Sequence, residues 1–142
     1  MKLNTMAAVM SFISKVENDS ALFYQIWAGK YQELRDVFLD WSKENKTFEK
    51  KIKQTYFGVI TDAIESTFSF AKLDTAEYEL ETALSADGSL QEVKKKAKEI
   101  ETGLKDFYFK AAQQSEGLMA DLPGLFKKIA KKREERLKSF NP

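Results

Sequence analysis

The chain has 142 residues, of which 43% are hydrophobic and 13% aromatic, which is enough to bury the core of one folded domain. Its 23 Lys and Arg residues nearly balance its 22 Asp and Glu residues, and a net charge of +1 gives no global attraction toward nucleic acid or anionic membranes. Cysteine and histidine are absent from the sequence, which excludes disulfides, thiolate or imidazole metal ligands, cysteine nucleophiles and Ser-His-Asp triads.

Two long helices are predicted at the start of the chain, because apolar or small residues recur there at steps of three and four. The face of the first helix contains Met6, Val9, Ile13, Val16, Ser20, Phe23 and Trp27. The face of the second helix contains Leu34, Val37, Phe38, Trp41, Phe48, Ile52 and Tyr56. Gly58 then permits a break. No apolar run is long enough to span a membrane and no signal peptide is evident, so we expect a cytoplasmic protein without a membrane partner.

Residues 58–88 are predicted to form a crossover connection, with a short helix around Ile64, Phe68 and Phe70 and a turn at the end of 74–88. Ser89 and Glu92 form a capping box that begins a third helix. Its apolar face contains Val93, Ala97, Ile100, Leu104, Phe107 and Ala111. A loop is predicted at 113–120. Asp121 is then expected to cap a fourth helix, with Pro123 in its first turn and a face of Leu122, Leu125, Phe126, Ile129, Leu137 and Phe140.

The two halves of the chain repeat one pattern. Glu17 precedes Phe23-Tyr24 at the same spacing at which Glu101 precedes Phe107-Tyr108. The apolar faces also correspond, as Ile13 with Ala97, Val16 with Ile100, Trp27 with Ala111, Leu34 with Leu122, Phe38 with Phe126 and Trp41 with Ile129. We therefore expect a single domain over 1–142, with half-repeats of about 3–57 and 89–140 joined by the crossover.

The duplicated Glu-x-x-x-x-x-Phe-Tyr pattern, each copy followed by a second helix, resembles the rubrerythrin branch of the ferritin-like superfamily over nearly the whole chain. The resemblance implies an all-α ferritin-like four-helix bundle, built from two repeated helical hairpins and a long crossover. In that family a Glu from the first and third helices joins a Glu-x-x-His motif from the second and fourth to hold two irons. Family members are commonly dimers, so a homodimer is also implied.

Most of the iron ligands that the resemblance implies are missing here. Glu17 and Glu101 match the family, but the other four positions are occupied by Asn45, Phe48, Arg133 and Arg136. A phenyl ring offers no donor atom and a guanidinium is a permanent cation without a free lone pair. We expect a degenerate di-iron site, with no metal or other cofactor and no catalytic residues. A rubredoxin-like module is excluded because the chain has no cysteine.

Carboxylates that face a bundle interior need a positive partner, so we expect Glu17 and Glu101 to pair with Arg133 and Arg136 inside the protein. Two alternatives stay open. The four side chains could lie in solvent, since the glutamates come one position after the apolar face and the arginines lie near a helix C-terminus. A His-free iron or manganese site could instead be completed by carboxylates elsewhere, from Glu44, Glu49, Glu65 or Glu134.

Other polar residues receive structural interpretations. Tyr24 and Tyr108 are expected to pack with hydrogen-bonded hydroxyls, and Asn45 to be a hydrogen-bonded core amide with Glu17 or Glu101 as available partners. The alternative for Asn45 is that it lines a small polar cavity that binds a ligand. The basic runs at 94–98 and 127–132 are expected to be solvated helix faces with (i, i+4) ion pairs.

The function that these expectations favour is a non-catalytic binding or scaffold module descended from a di-iron protein, with a protein or small-ligand partner and no nucleic-acid partner. The alternative is a divergent metalloprotein of iron handling or peroxide defence. A weaker third possibility is a bundle that binds a small apolar or anionic ligand beside Arg133.

Overall fold

A computed structural model of the chain describes residues 5–59, 70, 73–116 and 121–140. These residues form four α-helices and no strand: α1 Met6–Lys30, α2 Gln32–Val59, α3 Leu90–Gln114 and α4 Asp121–Lys138. A short 3-10 helix, Thr75–Tyr78, lies in the connection before α3. Helix α1 packs along α2 and α3 packs along α4, while α2 also contacts α4. The predicted all-helical architecture of two hairpins is thus confirmed.

Local signals set the ends of these helices. The Thr5 side chain accepts a hydrogen bond from the Ala8 amide at the start of α1. A single extended residue, Tyr31, separates α1 from α2, and because the two helices pack along each other the chain reverses direction there. The capping box predicted before α3 is confirmed, because Ser89 Oγ accepts from the Glu92 amide at 3.1 Å and Glu92 Oε1 accepts from the Ser89 amide at 3.0 Å.

Several predicted boundaries were wrong by a few residues. Helix α2 includes Gly58, because a glycine permits a helix break without requiring one. Helix α3 includes Gln113, because the apolar face continues through buried Ala111 and Ala112 and the Ser115 amide still bonds back to both carbonyls. Asp121 is the first residue of α4 rather than a cap preceding it. Of the short helix predicted around Ile64, Phe68 and Phe70, the first two residues lie outside the described part of the chain; Phe70 is buried.

The core is aromatic and joins the two hairpins. Phe12 of α1 lies against Phe107 of α3 with ring centres 5.0 Å apart, and Tyr24 lies against Phe38 at 4.8 Å. In each apolar pair that the repeat matches, both residues are buried, with the exception of Trp41, which is half-buried. Val37 is a correction to the predicted α2 face: it is 44% exposed, because Leu34 and Phe38 fill the inward face and the helical rotation turns Val37 away. The matched faces enclose the region between Glu17 and Glu101.

Among the described residues, no helix combines the length and the apolar character that a membrane span requires.

Candidate functional site

The six positions at which the family resemblance implies iron ligands lie together in one buried cluster. They come from all four helices, and each residue is at most 4% exposed: Glu17, Asn45, Phe48, Glu101, Arg133 and Arg136. The side chains of the two glutamates and two arginines therefore do not reach solvent. We refer to these six residues as the central cluster.

Arg133 is the centre of this cluster. Its Nη1 donates to both carboxylate oxygens of Glu101, at 2.9 and 3.1 Å, and its Nη2 donates to Oε1 of Glu17. Nη2 also lies 3.3 Å from Oδ1 of Asn45. One guanidinium thus bridges carboxylates from α1 and α3, and its two terminal nitrogens fix both of them.

Arg136 extends the network to the edge of the bundle. Its Nη1 donates to Asn45 Oδ1 at 2.8 Å and to Glu101 Oε2 at 3.2 Å. Its Nη2 donates to Glu44 at 2.7 Å, and Glu44 also lies 3.7 Å from the ammonium of Lys132. Glu101 therefore has two guanidinium partners, whereas Arg133 supplies the ion pair of Glu17.

Two tyrosines donate further hydrogen bonds to the carboxylates, each to the glutamate in the other half of the repeat. The Tyr24 hydroxyl of α1 donates to Glu101 of α3, and the Tyr108 hydroxyl of α3 donates to Glu17 of α1. As a result all four oxygens of the two carboxylates accept at least one hydrogen bond. The predicted packing of these tyrosines with bonded hydroxyls agrees with these contacts, but the exchange of partners between the halves is not evident from the repeat alone.

Asn45 has different partners from those expected. Its Oδ1 accepts from Arg133 and Arg136, and its Nδ2 donates to Ser20 Oγ at 2.9 Å. The prediction of a hydrogen-bonded core amide is confirmed, but neither glutamate is its partner, because Nδ2 donates to Ser20 and both guanidinium groups donate to Oδ1. Ser20 is the residue that sequence reasoning missed; a serine on an otherwise apolar helix face was the available signal.

Phe48 supplies an aromatic surface where the family resemblance would place a histidine. The central carbons of the Arg133 and Arg136 guanidinium groups each lie 5.4 Å from its ring centre. Trp41 and Tyr108 make similar contacts, at 5.2 Å from Arg136 and 5.7 Å from Arg133. The faces of these rings are weakly negative, so they help to hold cations that have left water.

Burial and charge shift the pKa values of the cluster in different directions. Burial raises the pKa of Glu17, and Arg133, the Tyr108 hydroxyl and the charge of Arg136 together offset this only in part. Burial also acts to raise the pKa of Glu101, but Arg133 and Arg136 together outweigh it and hold that pKa below its usual value. Burial and the neighbouring carboxylates raise the pKa values of Tyr24 and Tyr108 well above 10.0. At neutral pH both tyrosines are hydrogen-bond donors.

The residues present do not fit the di-iron centre that the resemblance implies. Arg133 places a fixed positive charge between the two matching carboxylates, where a metal cation would be repelled. The other candidate carboxylates are paired with cations or exposed: Glu44 pairs with Arg136, Glu49 pairs with Lys53 and Glu134 is exposed. Glu65 lies outside the described residues. Within the described ranges no group of three or more acidic side chains could hold a metal ion.

The basic runs differ from the expected (i, i+4) pairing. Lys96 pairs with Glu99 three residues later, at 3.4 Å, and Lys132 pairs with Glu44 of another helix. Lys94, Lys95 and Lys98 make no ion pair with any residue in the described part of the chain. The expected pairing assumed that helical spacing alone would bring the charges together.

No family model, curated protein or solved structure matches the chain. The ferritin-like assignment therefore stays a prediction that rests on the duplicated motif.

Proposed function

We propose that the chain is a ferritin-like bundle of rubrerythrin type in which a buried guanidinium stands in place of the metal centre, and that it acts as a non-catalytic binding or scaffold protein. The observation that carries this proposal is the position of Arg133 between the carboxylates of Glu17 and Glu101. On the same resemblance we propose that the protein forms a homodimer. The molar mass measured by light scattering tests this.

The chemistry of the central cluster supports a structural role rather than a catalytic one. A catalytic group needs an atom that can approach a substrate, and Glu17, Glu101 and Arg133 are 1% exposed or less. All four carboxylate oxygens are already engaged as acceptors, and the paired tyrosines hold their protons tightly. The site therefore offers no free base and no open coordination position.

The charge balance of the cluster explains how such a bundle would stay folded without iron. Two carboxylates in an apolar interior require compensating positive charge, and Arg133 and Arg136 provide it through direct hydrogen bonds. A function that remains after loss of the metal would have to use the outer surface of the bundle. We therefore assign the protein to binding rather than to redox chemistry.

The first test measures iron, manganese and zinc in the purified protein after anaerobic dialysis against ferrous iron. We expect substoichiometric metal. A variant that restores the family ligands at the four changed positions (Asn45→Glu, Phe48→His, Arg133→Glu and Arg136→His) should bind about two ions, because these positions converge on Glu17 and Glu101. Circular dichroism verifies that the variant is helical.

Two outcomes would change the assignment. Stoichiometric metal in the parent protein, lost in a Glu17→Ala/Glu101→Ala variant, would make the chain a His-free metalloprotein of the alternative kind. A helical restored variant that binds no metal, beside a metal-free parent, would remove the support for a ferritin-like origin.

A further inference from the structure

An open groove of about 700 Å³ lies beside α3 and contains none of the central-cluster residues. Its lining runs from Gln91 to Gly103 on α3, and Phe140, just after the end of α4, forms part of the wall. The twelve helical steps from Gln91 to Gly103, at about 1.5 Å each, give this lining a length of roughly 18 Å. The groove is therefore long enough for several side chains of a partner.

The charges in this groove are unbalanced. Lys94, Lys95 and Lys98 line it together with one carboxylate, that of Glu99, which is already paired with Lys96 at 3.4 Å. None of the three lining lysines forms an ion pair with the described residues. An anionic partner would thus find three cations whose charges are not already compensated.

The arrangement of these lysines is unfavourable for α3 itself. Lys94 and Lys98 are like charges at (i, i+4), and Lys95 and Lys98 are like charges at (i, i+3), which destabilises an isolated helix. They lie in the half of the helix nearer its N-terminus, where the helix dipole gives cations no benefit. Lys127 and Lys131 of α4 are also like charges at (i, i+4) without an ion pair to any described residue, but they do not line the groove. The combination of uncompensated charge and a groove is therefore what points to a binding role for the lysines of α3.

Phe140 adds a fixed apolar surface to the basic groove. Its ring packs edge-on against Trp41 with ring centres 5.5 Å apart, so its position is tied to the core rather than to a loose terminus. A ligand for this groove is therefore expected to be amphipathic, with negative groups opposite the lysines and an apolar group near Phe140.

We propose that this groove binds an acidic amphipathic helix of a partner protein, with Lys94, Lys95 and Lys98 pairing with its carboxylates and Phe140 contacting an apolar side chain. The inference deepens the proposed function, on which it rests, by naming the class of partner. Glutamates at (i, i+4) of a helix are separated by about 6 Å along the axis, the same rise that separates Lys94 from Lys98. A single phosphate would instead need donors that converge on one point.

The test uses a fluorescently labelled helical peptide with glutamates at (i, i+4) on one side and a leucine stripe beside them, with binding to the full chain followed by anisotropy. We expect saturable binding that weakens with added salt. The variant Lys94→Glu/Lys98→Glu should bind this peptide at least about tenfold more weakly. It should bind a second peptide, in which lysines replace the glutamates, more tightly than the parent does.

The matched control is Lys127→Glu/Lys131→Glu, which changes two exposed lysines of α4 at the same spacing and alters the net charge equally. Neither residue lines the groove, so affinity should stay within about twofold of the parent. A Phe140→Ala variant should weaken binding without changing its salt dependence, because it removes only an apolar contact.

Three results would overturn the assignment. The first is no binding by the parent. The second is an equal loss of affinity in the groove variant and the α4 control, which would mean attraction to net charge alone. The third is that a single-stranded oligonucleotide or phosphatidylserine vesicles bind through Lys94 and Lys98 while the peptide does not. The metal measurement distinguishes failure of this proposal from failure of the proposed function. If the parent holds metal and binds the peptide, the groove assignment stands and the non-catalytic function is rejected. If the parent is metal-free and does not bind the peptide, only the groove assignment is rejected.

Discussion

Tyr108 of α3 donates a hydrogen bond to Oε2 of Glu17 on α1, 91 residues away in sequence. The equivalent tyrosine of the first half, Tyr24, donates to Glu101 of the second half. Each half of the repeat therefore supplies a tyrosine hydroxyl that donates a hydrogen bond to the carboxylate of the other half. The exchange ties the two hairpins together through buried, charge-assisted hydrogen bonds, which are the stronger kind.

The two tyrosines should nevertheless contribute unequally to stability. In a Tyr108→Phe variant, Oε2 of Glu17 would keep no donor among the described residues, whereas in Tyr24→Phe the Oε2 of Glu101 would keep both arginines. We expect urea denaturation to give a loss of about 2–3 kcal/mol for Tyr108→Phe and about 1–1.5 kcal/mol for Tyr24→Phe. Tyr78→Phe, at a half-buried tyrosine outside the cluster, is the control with little change. Equal losses at Tyr24 and Tyr108 would contradict the asymmetry.

Removal of the central guanidinium should be strongly destabilising. Arg133→Ala leaves the buried carboxylates of Glu17 and Glu101 without their shared cation, and we expect a loss of about 3–5 kcal/mol in the free energy of unfolding. Glu101→Ala should cost a comparable amount, since it leaves two buried arginines short of an anion. Arg35→Ala, at an exposed arginine of α2, should change stability by less than about 0.5 kcal/mol. If Arg133→Ala melts like the parent, the ion cluster is not needed for the fold.

Stability should fall at alkaline pH because of the two buried tyrosines. Their pKa values in the folded protein are raised well above 10.0, so above pH 10 the unfolded chain loses protons that the folded protein keeps. Each tyrosine then contributes a decline of about 1.4 kcal/mol per pH unit in the free energy of unfolding. Denaturation series at several pH values above 10 should give a shallower decline for Tyr108→Phe than for the parent. An unchanged slope would mean that Tyr108 ionises as easily in the folded state as in the unfolded one.

Glu17 and Glu101 should have opposite effects on stability at acidic pH. The lowered pKa of Glu101 means that its stabilisation is present above about pH 4.5 and is lost as pH falls through the folded value. The raised pKa of Glu17 means that its contribution is present below about pH 4.5 and is lost as pH rises through the folded value. Glu101→Gln should therefore reduce the loss of stability as pH falls below about 4.5. Glu17→Gln should reduce the loss of stability as pH rises above about 4.5. Curves that change in the same direction would contradict this assignment.

The fold followed from local signals that act over a few residues. The three- and four-residue steps of apolar side chains identified all four helices, and the Ser89–Glu92 box located the start of α3. The boundaries near Gly58 and Gln113 were misplaced, because helix ends depend on whether neighbouring packing continues, which glycine content and polarity do not report.

The central cluster was only partly accessible to the same reasoning. The family resemblance, aligned on the repeat, singled out its six positions, and the missing histidines ruled out the family's ligand set before any geometry was known. The partners within the cluster depended on how α1 and α3 are rotated against each other, which a 3.6-residue period does not specify.

The sequence by itself determined the helical class of this protein, its duplicated pattern and the absence of imidazole and thiolate ligands. Only the tertiary structure decided that Glu17 lies inside, that Arg133 bridges two carboxylates, that each tyrosine serves the other half and that Asn45 bonds to Ser20. The physical reason is the separation in sequence between the residues that interact. Periodicity and capping depend on residues within a few positions of one another, whereas the contacts of this cluster join residues up to 116 positions apart.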